Sequence, residues 1–300
     1  KFFEHFVAIA DAMNTLGGTG LWDEQDGFYY DRLHADGLEV PLRVRSLVGL
    51  VPLFAVEVLE DRVMDRLPGF KKRLSWFLQS RQDLARHISY LQPAADAGHG
   101  HRLLAIPSRE RLERVLRYLL DEAEFLAPGG VRSLSRVHRE HPYVFRVGHE
   151  EYRVEYAPAE SSAGLFGGNS NWRGPIWFPM NYLIVEALER YHHFYGDDLQ
   201  VELATGSGRR VTLKAAAQEI ATRLSRIFLP DARGRRPCHG GDERFARDPH
   251  WRDLVLFHEY FSGDDSRGCG ASHQTGWTAL AVRFLEDLAR ARGADRRGEK

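Results

Sequence analysis

Lysine is nearly missing from this chain of 300 residues: it occurs only at positions 1, 71, 72, 214 and 300, so 36 of the 41 basic residues are arginine. The arginines are interspersed with 42 acids for a formal net charge of -1. No single-sign field therefore exists to attract nucleic acid or an anionic membrane surface. Cysteine is sparse as well. Cys238 and Cys269 cannot form a disulfide framework, although one bridge between them stays open. No run of about 18 apolar residues offers a membrane span. His258 and His273 lack HxxxH or CxxC spacing, and no glycine-rich loop joins a strand to a helix, so neither a metal nor a cofactor is expected. An initiator methionine and a helix cap are missing at the start, where Lys1 leads straight into a helical pattern. The sequence reads as part of a longer polypeptide, with any targeting signal out of view and a cytoplasmic placement as the default.

What is present is an ordinary globular composition, 43% hydrophobic and 28% charged. Phe2, Phe6, Ile9, Met13 and Leu16 recur at helical spacing up to a stop at Gly17-Gly18. Pro41–Leu59 is apolar nearly all round and predicts a buried helix, whereas Phe70, Leu74, Phe77 and Leu78 mark a helix with one wet face. Leu112, Val115, Leu116 and Leu119 form a stripe behind Ser108, a good N-cap. Alternation around Gly148-His149 predicts a β-hairpin of Tyr143–Val147 and Tyr152–Tyr156. Further helices are expected over Pro175–Tyr195, Leu213–Phe228 and Thr275–Ala291. Seven helices with one minor hairpin, buried and half-wet by turns, suit two concentric helical layers in a single domain.

Two stretches stand out from core-building. In FGGNSNWRGPIWFPMNYL, from Phe166 to Leu183, a permissive loop delivers Trp172, Arg173 and Trp177 to a helix mouth, with Pro175 expected in the helix's first turn. Indoles there can stack on a flat ligand face while the guanidinium binds hydroxyls or a carboxylate. A cation–π clamp that only pins the helix start is the competing reading. In FHEYF, from Phe257 to Phe261, Glu259 sits among aromatics, a setting that suits a general base or, equally, a satisfied structural carboxylate. Cys269 with His273 holds the elements of a thiol–imidazole pair, but spacing alone says nothing of geometry.

Taken together, NWRGPIWFPMNYL (Asn171–Leu183), FHEYF and GCGASHQTGW (Gly268–Trp277) resemble the catalytic region of glycoside hydrolase family 63. That group includes processing α-glucosidase I and mannosylglycerate hydrolase-like enzymes. WDEQDGFYYD (Trp22–Asp31) and GGVRSLSR (Gly129–Arg136) are similar to loops of the same family. The resemblance implies an all-α (α/α)6 toroid, incomplete in this chain and lacking its N-terminal helices. It also implies inverting hydrolysis of an α-glucosidic or α-mannosidic bond in an oligosaccharide or small glycoside. Glu259 matches the family's base. Trp172, Arg173, Trp177, Tyr260 and Trp277 are then expected to line the sugar site, with Trp22, Tyr29 and Tyr30 opposite. The family's general acid is an Asp upstream of the Trp22 loop; before that loop this chain has only Asp11, in an amphipathic run, which leaves Asp23, Asp26 and Asp31 as substitutes. The missing N-terminal part would be the partner of an apolar flank made by Phe2, Phe6, Ile9, Met13, Phe284 and Leu288. The alternative of another class is a helical carbohydrate-binding or scaffold module without catalysis.

Overall fold

A computed structural model describes residues 2–14, 20–35, 37–80, 101–160 and 172–298, and among these described residues there are six helices of more than ten residues and seven two-stranded antiparallel ladders. The helices are α1 (Phe2–Asn14), α2 (Pro68–Ser80), α3 (Arg109–Leu119), α4 (Phe178–Tyr195), α5 (Leu213–Arg226) and α6 (Leu280–Gly298). Helices dominate, as expected, and the ladders outnumber the single expected hairpin. Most of them are local hairpins laid on the helical core, which supplies the support that a lone two-stranded ribbon lacks in water.

Local signals explain several elements. Ser108 caps α3 by accepting from Arg111 N, and Leu112, Val115, Leu116 and Leu119 are its buried stripe. Tyr143–Val147 pairs with Glu150–Val154 around Gly148-His149, at the expected turn. Gly196 ends α4 with a φ of 60°. Helices α4 and α5 pack along each other and α6 lies against both, forming the centre of the main core with Phe178, Ile184, Leu188, Ile220 and Leu224.

Three expectations are corrected. Pro41–Leu59 is not a helix: strand Leu38–Leu42 gives way to a 3-10 turn, Leu47–Phe54, and then to strand Val56–Glu60, paired with His101–Ala105. Pro52 lies inside the 3-10 turn, and the alternating Val56 and Val58 favour a ladder over a helix. The last helix is split, with Thr275–Thr278 preceding α6. The side chain of Thr278, buried, donates to the His258 carbonyl at 2.5 Å, tying the short turn to the Glu259 loop. Helix α1 buries Val7 and Ala10 and packs Phe3, Phe6 and Met13 against the core, while Phe2 and Ile9 are exposed. Phe284, expected on an open flank, is buried against Phe178 and Tyr182. Leu16, the Gly17-Gly18 stop and the Phe166–Asn171 part of the tryptophan loop lie outside the described residues.

Candidate active site

Backbone bridges determine where the tryptophan motif sits. Ile176 pairs on one side with Arg132 and on the other with Phe261, exchanging hydrogen bonds of 2.7 and 3.0 Å with Phe261. This extended segment keeps Pro175 out of the helix; Pro179 occupies the first turn of α4 instead. Asn181, fully buried, fastens that turn: its Oδ1 accepts from Val131 N at 2.7 Å, and its Nδ2 donates to the carbonyls of Val131 and Trp177. Losing it would leave Val131 N–H buried without a partner, at a cost of about 1–3 kcal/mol. The same strip thus places the GGVRSLSR loop, the tryptophan motif and the FHEYF motif side by side.

The aromatic residues of these motifs meet in a stack. Trp172 lies on Trp177 at 4.7 Å and 11°, Trp177 on Tyr260 at 4.8 Å and 28°, and Trp277 meets Trp177 edge-on at 5.9 Å. Trp177 and Tyr260 are buried, while Trp172 and Trp277 keep 37% and 39% of their surface exposed. The stack therefore has a packed interior and two open indoles. Arg173 is buried beside it, and its carbonyl accepts from Ala157 N at 2.6 Å.

Two carboxylates flank Tyr260. Glu259 is half-buried; its N–H donates to the Ala271 carbonyl at 2.9 Å and its Oε2 accepts from Ala271 N at 3.2 Å. Its Oε1 makes no hydrogen bond among the described residues. Glu160 is committed on both oxygens, accepting from Gly270 N at 3.0 Å and from the Tyr260 hydroxyl at 2.5 Å. Burial and the bond to Glu160 push the Tyr260 phenol well above its usual pKa. Gly270 makes this geometry possible: its φ is 67°, and an added Cβ would lie 2.7 Å from Glu259 Oε2. Sequence reasoning missed Glu160. Its only signal is its position at the entrance of the tryptophan loop.

The residues expected on the opposite wall lie elsewhere. Trp22, Tyr29 and Tyr30 are buried in the main core, where Trp22 packs edge-on against Tyr29 under the guanidinium groups of Arg111 and Arg114. The 3-10 turn Leu47–Phe54 packs on the Phe28–Tyr29 strand, and Leu47, Val48 and Val51 of that turn line a cleft of about 350 Å3 shared with Trp172, Leu134, Met180 and Asp31. Asp23 is paired with Arg43 at 2.9 Å, and Asp26 accepts from the Tyr30 hydroxyl at 2.9 Å. Of the three aspartates, Asp31 alone lines that cleft; it stays exposed to solvent, and partial desolvation raises its carboxyl pKa.

Cysteine chemistry finds no support. Both thiols are free and buried, and burial pushes Cys269 up to about 11 and Cys238 up to about 12, away from the thiolate a nucleophile requires. No group of three His, Cys, Asp or Glu able to hold a metal occurs among the described residues, and no helix there is long and apolar enough to cross a membrane.

Open indoles above a packed aromatic base, with a carboxylate next to that base in the chain, are side chains suited to binding sugars. Residues 102–278 match the family described as mannosylglycerate hydrolase MGH1-like glycoside hydrolase domain, and the chain belongs to that family. The matched segment contains the tryptophan motif, FHEYF and Trp277, and excludes the Trp22 loop. Uncharacterized protein YMR196W of Saccharomyces cerevisiae is 46% identical over 305 residues, covering 96% of this chain and 28% of its own length. The mannosyl-oligosaccharide glucosidase of the same yeast is 26% identical over 176 residues, covering 58% of the chain and 15% of the relative. The probable mannosyl-oligosaccharide glucosidase of Schizosaccharomyces pombe is 25% identical over 179 residues, covering 59% of the chain and again 15% of the relative. The chain thus spans between a seventh and little more than a quarter of the curated relatives it matches.

Proposed function

We propose that this chain carries the base side of the active site of an inverting α-glycosidase, with Glu259 as general base. The observation that carries this reading is the asymmetric setting of Glu259: Ala271 N–H fixes Oε2, while Oε1 has no protein partner among the described residues. A water held at Oε1 loses a proton to the carboxylate as its oxygen attacks the anomeric carbon. The glycosidic carbon–oxygen bond breaks on the opposite face, and the leaving oxygen takes a proton from a second carboxyl roughly 6.5–9.5 Å from the first. The product sugar has inverted configuration. Trp172 and Trp277 offer open faces for a pyranose, and Trp177 and Tyr260 hold them in place. Glu160 is a positioning residue, since both its oxygens are spent on Gly270 and Tyr260.

Related proteins are named for mannosyl-oligosaccharide and mannosylglycerate substrates; the substrate class proposed here is an α-glucosidic or α-mannosidic bond in an oligosaccharide or small glycoside. In this reading the helices belong to an (α/α)6 toroid completed by other parts of the polypeptide. The family resemblance implies an upstream aspartate as the acid; the fallback within these residues is Asp31, which lines the Trp172 cleft and has its carboxyl pKa raised by partial desolvation.

The test is Glu259→Gln in the full-length polypeptide, assayed on glucosyl and mannosyl glycosides with the product anomer followed by NMR. Glutamine keeps the shape and the acceptor for Ala271 N, so folding and sugar binding should persist while turnover falls about 10²–10⁴-fold. Near-normal turnover, or a product of retained configuration, would sink the assignment. A wild-type protein that binds sugars without cleaving them would favour a non-catalytic module.

A further inference from the structure

The loop after Pro128 walls a second cleft, of about 390 Å3, lined by Glu122, Pro128, Arg132, Arg136, Arg139 and Asp264. No residue of the aromatic stack borders it. Its two acids are already neutralised: Glu122 pairs with Arg223 at 2.8 Å, and Asp264 pairs with Arg139 and accepts from the Tyr156 hydroxyl at 2.9 Å. That leaves the charges of Arg132 and Arg136 without a direct ion pair among the described residues.

Arg132 is the unusual one. It is 3% exposed, yet its hydrogen bonds go only to neutral oxygens. Nε donates to the Tyr156 hydroxyl at 3.2 Å and the Gly263 carbonyl at 3.1 Å, and Nη1 donates to the carbonyls of Glu122, Glu124 and Leu126. Nη2 makes no hydrogen bond among the described residues. The five acceptors that orient this guanidinium are neutral, and its nearest counter-charge, Asp264, is reached only through the Tyr156 hydroxyl and is already paired with Arg139. Burial, the largest effect, lowers the pKa of Arg132 against the opposing Tyr156 and Asp264, with a smaller contribution from Arg136. Arg136 is exposed at the same cleft, and its side chain has no ion pair among the described residues.

We infer that this cleft binds the oxyanion group of a small phosphate- or carboxylate-bearing ligand, with Arg132 Nη2 and Arg136 as its donors. A rigid guanidinium held from behind by carbonyls presents its free edge at no further ordering cost, the arrangement in which arginine recognises planar and tetrahedral oxyanions best. The cavity is larger than a phosphate, so the anion is the head of a larger molecule. This site does not depend on what Glu259 does.

The experiment is calorimetric titration of the full-length polypeptide with inorganic phosphate and, separately, with acetate, against chloride at matched ionic strength. At least one anion should bind saturably with a Kd of roughly 1 mM or tighter, and the anion that does identifies the head group. Arg136→Glu, at an exposed position where folding is not at stake, should weaken that binding at least about tenfold. Arg209→Glu makes the same charge change at an exposed position that does not line the cleft and should leave the affinity unchanged, because a solvated charge outside the site is screened by salt. The inference is overturned if neither anion saturates, or if the two variants lose affinity equally.

Discussion

Gly270→Ala tests whether Glu259 is held for chemistry or merely for folding. Gly270 lies in the left-handed region at φ 67°, and a Cβ built there sits 2.5 Å from Tyr260 Cε1, 2.7 Å from Glu259 Oε2 and 3.1 Å from Glu259 Cβ. Tyr260 is pinned between Trp177 and its bond to Glu160 and has no room to withdraw. The 2.5 Å contact is then relieved by a shift of the Gly270 backbone, and the half-buried Glu259 side chain must also yield, by roughly 0.7 Å to regain ordinary van der Waals contact. The backbone penalty is about 1–2 kcal/mol, and the residual crowding adds about 1–3 kcal/mol. Because a misplacement of about 1 Å in a catalytic group costs on the order of 10²-fold in rate, kcat of the folded fraction should fall about 10–10²-fold with KM little changed. Gly148→Ala is the control: its φ is 60°, and nothing lies within 4 Å of an added Cβ. It should lose about 1 kcal/mol of stability and no activity. The assay is steady-state turnover of the full-length protein, normalised to the folded fraction, with urea melts for both variants. If Gly270→Ala loses stability while the folded fraction turns over at the wild-type rate, the placement of Glu259 is not under catalytic constraint and the argument fails.

Other consequences follow from burial and charge. Trp177→Ala removes the inner member of the stack and should cost about 3–5 kcal/mol; Trp172→Ala, open on one side, should cost far less stability and weaken sugar affinity instead. Paired denaturation and binding measurements decide this, and equal destabilisation by the two would mean that the stack only pins the start of α4. His239 lies against Phe245 at 4.0 Å; burial first, then Arg236 and His258, lower its pKa to about 4 against the opposing Asp242. Below about pH 6.5 the unfolded chain takes up a proton that the folded chain refuses until about pH 4. The stabilisation is therefore complete above about pH 6.5 and is lost as pH falls to about 4, by at most about 3 kcal/mol. His239→Gln should flatten the dependence of the urea midpoint on pH across that window, and an unchanged slope would refute it.

Where the sequence was readable, neighbours in the chain carried the information. The cap at Ser108 and the stripe through Leu119 are complete within α3 itself, and the hairpin at Gly148-His149 is complete within twelve residues. Pro41–Leu59 misled because a run of apolar residues satisfies a buried helix and a strand–turn–strand equally well, and only pairing with His101–Ala105 separates them. The loop aromatics divide on the same principle. Trp172 and Trp22 look alike in sequence, each beside charge and glycine. Trp22 is drawn into the core because Arg111 and Arg114, on a helix almost ninety residues away, cover its face, whereas no such lid covers Trp172 among the described residues. Glu160 shows the limit most plainly. Its flanks are small and polar, and its whole role comes from Tyr260 and Gly270, at sequence separations of 100 and 110. Glu259 could be singled out because its aromatic neighbours adjoin it in the chain; Glu160 bonds to one of the same aromatics, Tyr260, reached only by the fold. The two carboxylates that flank Tyr260 thus differ in sequence by the distance to their partners, not by their chemistry.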